Sequence, residues 1–278
     1  MTIAVIGSQG MLGRDCVEVL SQSHSVVALS KADLDVTDPL SIHTALSQIP
    51  DLDVVVNCAA YTDVDGAESR PDTAFLINET GPLNLAQWCK DHPVTLIHFS
   101  TDYVFDGTGT TPYSEQDPVS PINRYGASKL AGEVAIRNTM DRHYIFRTQW
   151  LYGLHGNNFV QTIRELLRTK PELHIVNDQI GGLTWTRDVA VTIRRAVQST
   201  IPYGTYHLAA SGYASWYDVT RHMATLLGVS IPIHPVSSTT FPRPAPRPHN
   251  CRLNCEKLWG TRLPRIPHWD ERLTEFLL

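Results

Sequence analysis

Five short apolar runs, spaced through the first 150 residues and separated by helix-patterned segments, constrain the fold more than any other feature. They lie at residues 2–6, 26–29, 53–56, 94–99 and 143–147. Between them, residues 39–49, 73–89 and 123–137 read as helices. Strands that alternate with helices pair in parallel, because each crossover helix must pack back onto a face of the sheet. After Trp150 the rhythm loosens: residues 158–168, 186–197 and 215–227 read as helices, and residues 231–248 are rich in proline.

The first run leads into Gly7, Gly10 and Gly13 of GSQGMLG, and residues 14–20 continue with Val17 and Leu20 among polar neighbours, as a helix would. A strand, a glycine turn and a helix open a dinucleotide-binding unit: glycine lets backbone approach the pyrophosphate, and the helix terminus offers N–H groups to it. The spacing is G-x-x-G-x-x-G rather than G-x-G-x-x-G, and it also describes a glycine-rich connection without a ligand; its place at the chain start favours nucleotide binding. The expected fold class is therefore α/β, a Rossmann-type doubly wound parallel sheet over residues 1–150. A smaller C-terminal domain, mainly substrate-binding, is expected over residues 151–278, with some of its segments returning to the first domain. At the end of the second run, Leu29 is followed by Ser30 and Lys31, with no acidic residue to hold a ribose 2′-hydroxyl. A hydroxyl and an ammonium suit a 2′-phosphate, which predicts NADPH over NADH, although Lys31 alone also fits an ordinary surface lysine.

With 23 basic and 28 acidic residues, the chain gives no reason to expect nucleic acid or an anionic membrane as partner. No apolar run approaches the roughly 18 residues of a membrane span, and the short initial run is no secretory core, so a cytoplasmic protein is expected. Five scattered cysteines do not form a disulfide framework. Cys251 and Cys255 near His249 lack the second ligand pair that zinc sites use, so no metal is expected there.

The chemistry-bearing element is YGASK, in which Tyr125 and Lys129 stand one helical turn apart. Residues i and i+4 share a helix face, which places an ammonium beside a phenol. A neighbouring positive charge stabilises phenolate and brings a phenol of pKa about 10 toward a range useful for proton transfer. Read alone, the pair also describes a solvated helix face.

With these motifs the chain resembles the extended short-chain dehydrogenase/reductases, and within them the dTDP-4-dehydrorhamnose reductase family. The resemblance runs from GSQGMLG through VVNCAAYTDVDGAE (55–68), HFSTDYVFDG (98–107), YGASKLAGE (125–133), FRTQWLYG (146–153), GNNF (156–159) and VNDQIG (176–181) to WYDV (216–219) and RPHNCRLNCEKL (247–258). It implies that Thr101 hydrogen-bonds the reacting carbonyl, that Tyr125 donates the proton, and that Lys129 holds the nicotinamide ribose. Thr101 would otherwise be an ordinary strand-end cap. Cofactor contacts are implied for Gly7, Gly10, Met11, Leu12 and Gly13 at the pyrophosphate, and for Asp35 and Val36 beside the adenine. Ala60, Tyr61 and Thr62 follow the third strand, and Phe99 is placed near the nicotinamide. Substrate contacts are implied for Asp102 and for Trp150, which could instead be a core tryptophan, with Asn158 and Arg247 toward the nucleotide half and Gln179 as a positioning residue. Arg243 and Arg252 join Arg247 in what reads as an ordered, anion-facing loop.

The resemblance implies NADPH-dependent reduction of the 4-keto group of dTDP-4-dehydro-L-rhamnose. Other readings are a reductase or epimerase for another 4-keto deoxysugar nucleotide, or a non-catalytic regulatory subunit. Some relatives dimerise through magnesium held by carboxylates. Here Asp15 matches one ligand, but Arg187 stands where a second carboxylate is expected, so magnesium is doubtful and either a monomer or a homodimer is expected. Gly182-Leu183-Thr184 lacks a proline common in relatives, which predicts a looser loop.

Overall fold

The computed structural model describes residues 1–199 and 201–278. The first half contains the strands Thr2–Ile6 (β1), Ser25–Leu29 (β2), Leu52–Asn57 (β3), Thr95–Thr101 (β4) and His143–Thr148 (β5), each ending within two residues of its apolar run. Its helices are Met11–Leu20 (α1), Pro39–Leu46 (α2), Val64–Ser69 (α3), Pro71–Phe75 (α4), Gly81–Asp91 (α5) and Arg124–Thr139 (α6). Beyond residue 150 come Leu151–Tyr152 (β6), Phe159–Thr169 (α7), Leu173–Val176 (β7), Ile180–Gly181 (β8), Thr184–Trp185 (β9), Thr186–Val197 (α8) and Gly204–His207 (β10). They are followed by Ala214–Ser215 (β11), Trp216–Leu226 (α9), Ile233–Val236 (β12), Glu256–Trp259 (α10) and Trp269–Leu277 (α11).

Six strands form one parallel sheet in the order β10-β5-β4-β3-β1-β2. The chain leaves β1 toward β2 on one side and reaches β3 on the other, so connections diverge beside β1. A crevice opens beyond the strand carboxyl ends at such a reversal, and ligands of doubly wound sheets bind there. The edge strand β10 comes from the second half, where Gly204-Thr-Tyr-His has no apolar run to announce it. Helix α8 also returns, packing on α1. One core consequently joins Ile3, Cys16 and Val54 to Val189, Ile193 and Tyr206.

Two local expectations are corrected and one, the ordered proline-rich segment, is refined. Residues 73–89 are not one helix, because a π-helical turn, Leu76–Thr80, separates α4 from α5. The wider turn directs buried Asn78 inward, where its amide bonds Tyr61 N, Tyr61 O and Ser128 Oγ at 2.8, 3.0 and 2.9 Å. The proline-rich segment supplies β12, which pairs with β7, and is hooked by Ser237 and Ser238 onto the Asp178 carboxylate. Finally, the 182–184 loop is packed: Leu183 and Thr184 are buried, and Thr184 Oγ1 donates to Gly182 O and accepts from Ala210 N.

Candidate active site

A cavity of about 510 Å³ lies over the first strand-helix turn, lined by Gly7, Gly10, Ser30, Lys31, Asp35, Val36, Cys58 and Ala60. Gly7 has φ +73°, and a Cβ there would come within 2.7 Å of Ala59 N, so only glycine serves. Gly10 begins α1 without a side-chain cap, leaving first-turn N–H groups to an anion. Glycine floor, uncapped terminus and volume together fit a dinucleotide. Met11, Leu12 and Gly13 are the first turn itself and can contribute backbone N–H groups. Tyr61 and Thr62 are not among the lining residues; Tyr61 is anchored by Asn78. Phe99 is a core residue packed on Phe146, and only its carbonyl oxygen turns to the site. Ser30 is also less available than its sequence position implied, because its hydroxyl donates to Asp33 Oδ2 at 2.6 Å. Lys31 is therefore the stronger feature for a 2′-phosphate, with the Asp33 carboxylate as an opposing neighbour.

Helix α6 starts at Asn123, whose Oδ1 accepts from Gly126 N at 2.8 Å, and carries Tyr125 and Lys129 on successive turns. A bidentate buried ion pair between Glu133 and Arg147 of β5 fixes its middle, at 2.8 and 2.7 Å. Thr101 ends β4, caps the following 3-10 turn and donates to Asp102 Oδ1 at 3.0 Å. Thr101 also lies close enough to the Tyr125 phenol to favour its ionised form. The Tyr125 ring meets Tyr103 edge-on at 5.9 Å. Lys129, 3% exposed, donates from Nζ to Phe99 O at 2.6 Å and lies 3.3 Å from His98 Nε2.

Burial dominates the electrostatics here. It pushes the Tyr125 phenol up to about 12, aided by the Asp102 charge and opposed by Thr101. Burial likewise lowers Lys129 to about 8 and raises Asp102 to about 7, the latter with its Oδ2 lacking a partner and the Cys251 thiol beside it. The expected lowering of the phenol by lysine is thus absent in this arrangement, because the lysine is turned toward Phe99.

A second cavity, about 690 Å³, is lined by Asp65, Tyr103, Phe159, Gln179, Trp216, Phe241, Arg243 and Arg247, and Thr101, Tyr125 and Lys129 line neither cavity; Tyr125 meets the larger one through Tyr103. Arg247 is paired with Asp65 and Ala245 O. Trp150 stacks on Trp216 with centroids 3.4 Å apart, while Gln179 Oε1 accepts from Trp216 Nε1 at 3.2 Å. The φ of Trp150, +46°, is a conformation that bulky residues avoid, and strain of this kind gathers at functional sites. Two expected residues take other roles. Asn158 caps α7, with its amide committed to Gln161 N and Gly153 O, and Arg252 bonds Asn250 and Thr110 O. Tyr103, Trp216 and Asp65 lay within quoted motifs, yet no spacing marked them as cavity walls. Near α1, Arg187 pairs with Glu18 at 2.7 Å and Asp15 accepts from the Thr186 hydroxyl, so the carboxylates already have partners.

A family model described as the RmlD substrate binding domain matches residues 1–278. A dTDP-4-dehydrorhamnose reductase of Sinorhizobium fredii is 36% identical, over 98% of this chain and 95% of that protein. A dTDP-4-keto-6-deoxy-D-glucose reductase of Streptomyces niveus is 39% identical, over 98% of this chain and 94% of that protein. Among solved structures, a Bacillus anthracis dTDP-4-dehydrorhamnose reductase in complex with NADP superimposes with TM-score 0.95 at 34% identity, covering 99% of this chain and 98% of that one. Whole-length matches of this strength, on a doubly wound sheet with its glycine turn and Tyr-Lys helix in place, mean that the chain belongs to the dTDP-4-dehydrorhamnose reductase family of extended short-chain dehydrogenases/reductases.

Proposed function

We propose that this protein reduces the 4-keto group of dTDP-4-dehydro-L-rhamnose to give dTDP-L-rhamnose, with NADPH as the preferred nicotinamide. The observation that supports the reading is that Tyr125 and Lys129 each neighbour a residue lining one of the two cavities. The phenol borders Tyr103 of the larger one, and Lys129 faces Cys58 of the smaller. When bound, the nicotinamide supplies the hydride. Gly7, Gly10 and the first turn of α1 hold its diphosphate, Asp35 and Val36 border the adenine, and Lys31 takes the 2′-phosphate. Thr101 orients the carbonyl, and the protonated Tyr125 phenol gives its proton to the new alkoxide oxygen. Arg243 and Arg247 supply the charge for the sugar nucleotide's diphosphate, and Trp150 on Trp216 forms an apolar wall for the hexose.

A second reading, reduction of a different dTDP-linked 4-keto deoxysugar, is favoured by the Streptomyces niveus relative. NADPH consumption measured across a panel of 4-keto deoxysugar nucleotides separates the two. Turnover fastest with dTDP-4-dehydro-L-rhamnose is expected; turnover of another sugar with none of this one would reject the first reading, and no turnover of any would reject both.

A further inference from the structure

Beneath Lys129 lies a buried polar chain that the proposed reaction does not use. Asn57 of β3 and His98 of β4 are neighbours in register, with Asn57 Nδ2 3.1 Å from His98 Nδ1 and His98 Nε2 3.3 Å from Lys129 Nζ. The direction of the chain is set at its far end. Ala59 N–H, a backbone group that can only donate, bonds Asn57 Oδ1 at 3.0 Å. Asn57 therefore presents its NH₂ to His98, so Nδ1 of His98 accepts and the single proton of a neutral imidazole sits on Nε2. That N–H points at Lys129.

An ammonium has three donors and no lone pair, whereas an amine has a lone pair to accept with and hydrogens left to donate. The sequence of bonds from Ala59 through Asn57, His98 and Lys129 to Phe99 O closes only on the amine. An ammonium would set two donors against each other at 3.3 Å, in a region where His98 and Asn57 are 0 and 2% exposed and no water can intervene. An imidazolium would create a second clash at Asn57, and burial holds His98 well below its ordinary range. The other groups facing the lysine are Glu133, one turn along α6 and neutralised by Arg147 and Arg137, and Cys58 after β3.

We propose that Asn57 and His98 are positioning residues that hold Lys129 as a neutral amine in mildly alkaline solution while the cofactor cavity is empty, so that binding of the nicotinamide dinucleotide there draws a proton from solvent onto the lysine. Hydroxyl acceptors and an anionic diphosphate in that cavity favour the ammonium and release it from His98. The inference rests on the proposed cofactor site.

Calorimetric titration of the intact protein with NADP⁺ at pH 8.5, in two buffers of different ionisation enthalpy, counts the protons. At that pH a 2′-phosphate with a second pKa of about 6 is fully ionised and contributes nothing. The wild type is expected to take up more than about half a proton per cofactor. Asn57→Asp offers carboxylate oxygens to both Ala59 and His98, reversing the imidazole so that Nε2 accepts from an ammonium. His98→Gln offers the lysine an amide oxygen. Both variants are expected to bind NADP⁺ with uptake near zero, and to shift the alkaline limb of the kcat/KM profile to higher pH. Wild-type uptake near zero, or uptake unchanged in both variants, overturns the relay while leaving the cofactor site standing. No NADP⁺ binding by the wild type overturns both.

Discussion

At the scale of single residues, Tyr125 carries the sharpest expectation. Burial keeps its hydroxyl protonated, the form a proton donor requires. Tyr125→Phe should lower kcat by roughly 100- to 10,000-fold while leaving cofactor affinity within about twofold, checked by steady-state rates and NADPH titration. A rate near that of the wild type would remove the phenol from the mechanism. Cofactor choice is decided by a smaller contest at the end of β2. Asp33 accepts from both the hydroxyl and the amide of Ser30, which holds its carboxyl below the usual range and places a negative charge beside the proposed 2′-phosphate position. Asp33→Ala should increase the preference for NADPH over NADH several-fold, and Lys31→Ala should reduce it, both read from paired Kd measurements. If neither ratio moves, the phosphate lies elsewhere.

Among the elements, α6 links the chemistry to the substrate loop through the residue that caps its N-terminus. Asn123 Oδ1 caps the helix, and Asn123 Nδ2 donates to Pro246 O at 2.9 Å, beside Arg247. Asn123→Ala removes both bonds and should cost about 1 kcal/mol of stability for the cap, measured by urea unfolding. It should also raise KM for the sugar nucleotide while cofactor affinity holds. Asn123→Asp keeps the cap but cannot donate to Pro246, so it should restore stability without restoring KM; a KM that recovers with the cap would show that the loop bond is idle. The first five strands and α8 could be read from sequence because apolar runs and helical spacing are properties of contiguous residues. The glycine turn and the Tyr-Lys pair were legible for the same reason, since all their partners lie within a few positions. Strand β10 was not, because its four mixed residues acquire an identity only beside β5. The π turn was hidden too, since one extra residue barely disturbs the apolar rhythm of residues 73–89. Asn57 and His98 are 41 positions apart, and only the register of β3 against β4 makes them a pair.

For the whole molecule, the buried titratable groups set how stability responds to acid. His98 and His207 are both fully buried, and burial lowers both, His207 to about 3. Below the unfolded value of about 6.5 the unfolded chain binds protons that these rings refuse, so the stability they contribute is present above that pH and is lost on acidification. Each costs up to about 1.4 kcal/mol per pH unit. Asp102 acts in the opposite sense. Raised to about 7, it holds a proton in the folded state that the unfolded carboxylate gives up, which adds stability as the pH falls through that value toward about 4. Between pH 6.5 and 5 each of these groups is worth up to about 2 kcal/mol, a shift in Tm of several degrees. Asp102→Asn removes an opposing group and should deepen the acid-induced fall in Tm relative to the wild type by that amount, whereas His207→Gln should flatten it. Asp15 and Asp188, also raised by burial, and His24 and His143, lowered by it, are common to all three proteins and cancel in the comparison. Thermal unfolding of the wild type and both variants at half-unit steps of pH decides the matter. A slope that Asp102→Asn leaves unchanged would mean that Asp102 is ionised in the folded protein, which would then hold a buried negative charge beside Thr101 at neutral pH.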